Sequence, residues 1–162
     1  MQRSFISSLF LSVTLTASLP AASRYDVVVY GGTAGGVITA VSAAREGASV
    51  VLLEPGSHIG GMVSGALGRT DYGKKEVIGG YSLEFFERLG RRYGEPVSWF
   101  FEPHIAEKVF REMLEEAKVP VLFKHRLREK NGVRKKGNTL IEIRMENGAS
   151  FSATIFADCT YE

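Results

Sequence analysis

Cysteine, tryptophan, histidine and net charge are all scarce in this sequence, and each shortage removes a class of protein. Cys159 is the only cysteine among 162 residues, so the chain forms no internal disulfide and carries no redox dithiol. The three histidines, His58, His104 and His125, lie too far apart in sequence to suggest a metal site. A formal net charge of +2 with 44% hydrophobic residues is an ordinary globular balance. It points neither to a nucleic-acid partner nor to a polybasic membrane surface. The one dense basic run, Arg134-Lys135-Lys136, has no interleaved aromatics on which bases would stack and reads as a solvated turn. No internal repeat and no low-complexity tract is present.

The apolar stretch Phe5 to Leu19 is too short to span a bilayer. It follows a positive start, Met1-Gln2-Arg3, and precedes Pro20-Ala21-Ala22-Ser23, with Ala21 and Ser23 at the −3 and −1 positions a signal peptidase reads. Residues 1–23 therefore read as a signal peptide cleaved after Ser23. The expectation is a secreted or periplasmic protein with no stable membrane anchor after cleavage. A membrane anchor or a mildly apolar N-terminal helix is the alternative. No twin arginine is present, so general secretion is expected. The domain then occupies residues 24–162, with net charge +1 once Arg3 is gone.

Glycine, by contrast, is abundant. The 18 glycines gather in residues 31–36 and 56–73. The first group sits in the stretch around which the chain is organised, Tyr25 to Glu54. Val27 to Tyr30 is a short apolar run of the kind a buried parallel strand shows. Gly31-Gly32-Thr33-Ala34-Gly35-Gly36 follows at once, and a helix over Val37 to Arg45 is closed by Gly47. Ser49 to Leu53 is a second apolar run, ending at Glu54. A helix N-terminus presents unpaired N–H groups and a partial positive charge, and glycines let a pyrophosphate approach the backbone. Glu54, 23 residues after Gly31, stands where an acidic residue hydrogen-bonds a ribose. In the preferred register Gly31 and Gly36 are the outer glycines, and Thr33 replaces the middle one, with a hydroxyl able to donate to phosphate. The other register runs through Gly32 and Gly35. Gly36 is followed by Val37-Ile38 rather than Lys-Ser/Thr, which excludes a Walker-type loop.

Residues 55–73 read as a long glycine-rich loop able to wrap a ligand. Val77 to Tyr93 reads as a helix whose aromatics are core. A second helix runs from Pro103 to about Lys118, with Ile105, Val109, Met113 and Leu114 facing inward. Val119 to Phe123 is a buried-type strand. Leu140 to Met145 alternates, Ile141, Ile143 and Met145 opposing Glu142, Arg144 and Glu146, and Phe151 to Phe156 is a further strand. With Asn131-Gly132, Gly137-Asn138 and Asn147-Gly148 as turns, the end of the chain reads as an antiparallel meander. The fold class is α/β: a Rossmann-like βαβ with a parallel sheet plus a small antiparallel β-meander.

Val29-Tyr30-Gly31-Gly32-Thr33 with Gly36, Ala43-Ala44-Arg45-Glu46-Gly47-Ala48 and Leu53-Glu54-Pro55 resemble the FAD-dependent oxidoreductases of glutathione-reductase-like type. The secreted bacterial branch, sometimes labelled xanthan-lyase-like, is the nearer resemblance. His58-Ile59-Gly60-Gly61-Met62, Gly68-Arg69-Thr70-Asp71, Phe101 to Glu107 and Phe156 to Glu162 also match. The resemblance implies FAD as cofactor. Gly31, Gly32, Thr33 and Gly36 are then expected at the pyrophosphate and Glu54 at the adenosine ribose. Gly60, Gly61 and Ser64 belong to a second, double-glycine element leading toward the flavin. It implies a hydride-accepting flavoprotein acting on a small-molecule substrate, carbohydrate-related by analogy with the secreted branch. It also implies a longer chain that returns late to complete the FAD site, of which this sequence reads as a truncated front part.

The catalytic residues are not readable. His58, Arg69 and Asp71 are candidates: His58 as a proton shuttle or point of flavin attachment against a plain loop residue, Arg69 and Asp71 as substrate ligands against a mutual ion pair. Two other readings stay open: an NAD-dependent dehydrogenase, which Glu54 permits but which leaves Gly60-Gly61 unexplained, and a non-catalytic nucleotide-binding fragment.

Overall fold

The computed structural model describes residues 22–66 and 68–161. The expected signal peptide lies outside the described residues except for its last two, and Ser23 opens the first strand. The elements are β1 (Ser23–Tyr30), α1 (Ala34–Arg45), β2 (Val50–Glu54), α2 (Met62–Gly65), α3 (Gly80–Tyr93), α4 (Pro103–Glu116), β3 (Val121–Phe123), β4 (Val133–Lys136), β5 (Thr139–Arg144) and β6 (Ser150–Asp158). All six strands join one sheet in the order β3-β2-β1-β6-β5-β4. Among the described residues no helix is long and apolar enough to cross a membrane.

The parallel part of the sheet follows from its sequence. Val27, Val28 and Val29 of β1 and Val50 to Leu53 of β2 are buried, as strands covered on both faces must be. Alternate residues serve opposite faces. Val27, Val29 and Leu52 face the helices and form the larger core with Val37 and Val41 of α1, Leu89 of α3 and Phe110 and Met113 of α4. Val28, Val51 and Leu53 face the other way and are covered by Ile143, Met145 and Phe151. The meander therefore bends over the second face of the sheet and does not merely extend it.

Four local expectations are corrected. Residues 55–73 are not structureless: one turn of helix forms at Met62–Gly65. The third helix begins at Gly80, not Val77, after a 3-10 turn at Lys75–Val77. The last strand, read as part of the meander, is antiparallel to β5 only at Ile143↔Phe151 and Arg144↔Ser150. Along its length it is parallel to β1, from Ser23↔Phe151 to Tyr30↔Asp158. Alternation within a strand shows which faces are covered, not which strand lies beside it, so the partner of β6 was not legible. Glu142, placed on the polar face, is 7% exposed because Arg134 and Arg144 close over it at 2.8 Å each. Arg134, then Arg144, hold its carboxyl below the usual carboxylate range.

Three helices are joined by a line of ion pairs. Arg45 of α1 makes a bidentate contact with Glu84 of α3 at 2.6 and 2.8 Å. Glu84 also accepts from Arg88, which reaches Glu116 of α4 at 2.6 and 2.7 Å. Arg45 pulls the Glu84 carboxyl from 4.5 to about 2, against a desolvation penalty that acts the other way. A carboxyl depressed by folding contributes stability that is complete above its unfolded value and lost as pH falls toward the folded one. Urea titrations should therefore show stability falling between pH 4.5 and about 2. Glu84→Gln should lose on the order of 1–3 kcal/mol at pH 7 and flatten that slope. An unchanged slope in the variant would assign the acid sensitivity to other carboxylates.

Candidate functional site

The functional end of the sheet is where β1 stops and α1 starts. The Gly31 N–H still belongs to the sheet, donating to the Leu53 carbonyl at 2.9 Å. The backbone then turns with Gly31 at φ +101, a conformation glycine adopts without strain. Thr33 is the N-cap of α1: its hydroxyl accepts from the Gly36 N–H at 3.1 Å and donates to the Cys159 carbonyl at 2.8 Å. The Thr33 hydroxyl, expected to donate to phosphate, here donates to the Cys159 carbonyl. Gly36 packs so closely on the turn that a Cβ there would overlap the Gly31 carbonyl oxygen. Gly35 between them is open; a Cβ on it meets only Thr33 Oγ1, at 3.7 Å. The Gly35 N–H, in the first turn of the helix, has no partner among the described residues. Thr33→Val should lose both hydroxyl contacts and cost about 1–2 kcal/mol in thermal or urea unfolding. Thr33→Ser should recover most of it.

Glu54, at the end of β2, turns back on this segment. One carboxylate oxygen accepts from the Gly32 N–H at 2.7 Å, the other from the Gly56 N–H at 2.5 Å. A carboxylate has about four acceptor positions, so two remain for hydroxyl donors of a ligand. The second glycine element is tied to the first: the Gly60 N–H donates to the Gly32 carbonyl at 2.6 Å, and Thr33 and Gly60 form a parallel bridge. Gly61 follows as the N-cap of α2. The Ser64 hydroxyl, on α2, donates to the Ile59 carbonyl. Thus Gly31, Gly32, Thr33, Gly36, Glu54, Gly60, Gly61 and Ser64, spread over 34 positions of sequence, are gathered at one corner of the sheet.

Two clefts at this corner border the start of α1. The smaller, ≈ 440 Å³, lies over the start of α1 and is walled on its far side by Thr160 and Tyr161. The larger, ≈ 530 Å³, is lined by Ile38, Phe85, Phe86, Phe101 and Phe110, with Arg69, Thr70, Asp71 and Ser82 among its polar residues. Ala34, Gly35, Met62 and Val63 line both. Phe85 stacks on Phe110 at 4.3 Å and meets Phe101 edge-on at 6.0 Å, so the cleft floor is rigid core. Phe85 and Phe86 were legible as core but not as cleft walls, because lining depends on how α1, α3 and α4 meet.

Of the candidate catalytic residues, Arg69 and Asp71 line the larger cleft and His58 lines neither cleft. The His58 side chain is 82% exposed and meets Glu107 of α4 at 3.0 Å. Arg69 and Asp71 do not pair with each other; the Arg69 guanidinium lies over the Phe100 ring at 5.2 Å. The tail was underestimated. Cys159 supplies the carbonyl that receives Thr33, and the Tyr161 hydroxyl accepts from the Met62 N–H at 2.7 Å. No spacing rule connects residues 161 and 62; the only signal was the resemblance of the Asp158-Cys159-Thr160 stretch.

The family model described as FAD dependent oxidoreductase matches residues 26–162. The chain belongs to this family. FAD is the family's cofactor, and the bare backbone at Gly35 and the two free acceptor positions of Glu54 are compatible with it. No curated protein matches the chain. Among solved structures, the thioredoxin reductase of T. acidophilum is similar over 84% of this chain and 35% of its own, with TM-score 0.57 and 19% identity. The flavin-containing monooxygenase of Stenotrophomonas maltophilia is similar over 85% of this chain and 38% of its own, TM-score 0.58, 20% identity. GidA of Aquifex aeolicus is similar over 84% and 25%, TM-score 0.61, 17% identity. At these identities the likeness is one of fold, and the chain spans well under half the length of each.

Proposed function

We propose that this chain supplies the FAD-holding portion of an exported oxidoreductase that oxidises a small organic molecule in the larger cleft. The observation that carries the reading is the pairing of the two glycine elements, Gly60 N–H to Gly32 carbonyl, beside a capped helix start and a fixed carboxylate. FAD, when bound, accepts a hydride equivalent from the substrate. The chain's own residues hold and orient. Gly31, Gly32, Thr33 and Gly36 shape the pyrophosphate turn, with the Gly35 N–H and the α1 dipole as attraction for the phosphates. Glu54 receives the ribose hydroxyls, and Gly60, Gly61 and Ser64 carry the ligand path toward Met62 and Val63. Thr33 acts by holding the helix start and not by phosphate contact. Domain limits of 24–162, with a signal peptide cleaved after Ser23, belong to the same proposal. A carbohydrate substrate gains no support from the similar proteins.

Mixing the protein with FAD, desalting and recording the visible spectrum tests the reading. Retained absorbance near about 450 nm, the flavin band, is expected. A colourless protein that instead retains NAD would transfer the site to the other dinucleotide.

A further inference from the structure

We infer that the larger cleft binds a small carboxylic acid with an apolar body and a hydrogen-bond donor on the carbon next to the carboxylate. An apolar 2-hydroxy acid and an apolar 2-amino acid both meet that description. The inference rests on the proposed function for its redox sense, but its binding chemistry is that of this chain's own residues.

Three observations lead there. The cleft, ≈ 530 Å³ and floored by Phe85, Phe101 and Phe110, is apolar where it is deep, so the body of its ligand is apolar. Its polar residues include two of opposite charge, Arg69 and Asp71, and neither forms an ion pair among the described residues. Eight ion pairs occur among those residues, engaging most of the arginines on α1, α3 and α4. A cation and an anion two residues apart that leave each other unpaired at an aromatic cleft offer an acceptor and a donor site together. The backbone that carries Arg69 is held in place: the Thr70 N–H donates to the Trp99 carbonyl at 3.2 Å and the Phe101 N–H to the Gly68 carbonyl at 3.0 Å. Arg69 over the Phe100 ring is fixed further. Finally, Ala34, Gly35, Met62 and Val63 form a wall common to this cleft and the nucleotide cleft, so a ligand lying on the phenyl floor abuts the proposed cofactor path.

Arg69 matches a carboxylate bidentately, as a guanidinium does. Asp71 accepts from a hydroxyl or ammonium on the adjacent carbon, and without such a donor it would repel the carboxylate. The pair therefore selects for both groups at once.

The single tryptophan, Trp99, has its ring 4.5 Å from that of Phe86, a wall of the cleft, and gives an internal reporter. Its emission is titrated with 3-phenyllactate, phenylalanine, 3-phenylpropionate and 2-phenylethanol, and each affinity is confirmed by calorimetry. Phenyllactate or phenylalanine should bind about tenfold more tightly than phenylpropionate, which lacks the donor, and than phenylethanol, which lacks the carboxylate. Whichever of the two acids binds better identifies the donor. Arg69→Met should remove the preference over phenylethanol, Arg69→Lys restore part of it, and Asp71→Asn remove the preference over phenylpropionate. Both positions are exposed, so the variants should keep the parent's melting temperature. Equal affinity for all four compounds, no measurable binding, or acid affinity unchanged in Arg69→Met would overturn the inference. FAD retention is measured on the same samples. Arg69-dependent acid binding without FAD retention would sink the proposed function alone, and FAD retention with indiscriminate ligand binding would sink this inference alone.

Discussion

Gly36→Val should destabilise the protein by about 3 kcal/mol or more and abolish FAD retention, at or above the upper end of the usual cost of forcing a side chain into occupied core space. A Cβ at position 36 overlaps the Gly31 carbonyl oxygen and comes within 3.1 Å of the Cys159 Cβ. Neither neighbour can retreat. Gly31 is held to the sheet through its N–H and lies with its own α-carbon against the Cys159–Thr160 backbone, where an added Cβ would meet atoms at 2.9 Å. Cys159 is tied by its N–H to the Tyr30 carbonyl at 2.8 Å and by its carbonyl to Thr33. Turn, helix and tail must therefore separate together. Gly35→Ala is the informative partner. Position 35 has room, so alanine should leave stability unchanged or raise it by up to about 1 kcal/mol through helix propensity. It should still weaken FAD retention, because the methyl would stand between the two clefts. Urea unfolding with desalting of FAD-loaded protein measures both. Equal stability losses at 35 and 36 would contradict the close packing of α1 on the turn.

Glu54→Gln should lower FAD affinity by about 10- to 100-fold and cost about 1–3 kcal/mol of stability. The carboxylate accepts from Gly32 and Gly56 with separate oxygens, whereas glutamine offers one acceptor and turns an NH₂ toward the other N–H. The variant leaves a backbone donor unpaired at the glycine turn and removes charge-assisted acceptors for the ribose. Glu54→Asp keeps the charge but shortens the reach, and should fall between the two. Fluorescence titration of FAD gives the affinities; an affinity unchanged in Glu54→Gln would place the ribose elsewhere.

Several features were open to reading because they depend on neighbours in sequence. Val27 to Val29 and Val50 to Leu53 are apolar at every position, which only strands covered on both faces tolerate. Gly31 and Gly36 bracket a helix start, and Pro103 opens α4, because proline suits a first turn whose N–H groups are unpaired in any case. Arg69 and Asp71 were distinguishable as candidates but not as residues of one cleft, since that depends on how residues 68–71 align with Trp99 to Phe101.

By itself the sequence determined the βαβ unit, the glycine turn with its acid at Glu54, the helix limits near Tyr93 and Pro103, and hence the family. Short-range periodicity and turn chemistry suffice for these. Only the tertiary structure decided that β6 runs parallel to β1, that the meander covers the second face of the sheet, and that Thr33 donates to Cys159 across 126 positions of chain. It also decided that His58 lies outside both clefts while four phenylalanines line one. Strand partners and cleft walls are set by which surfaces bury against each other, and a hydrophobic pattern states that a face will be covered without stating by what.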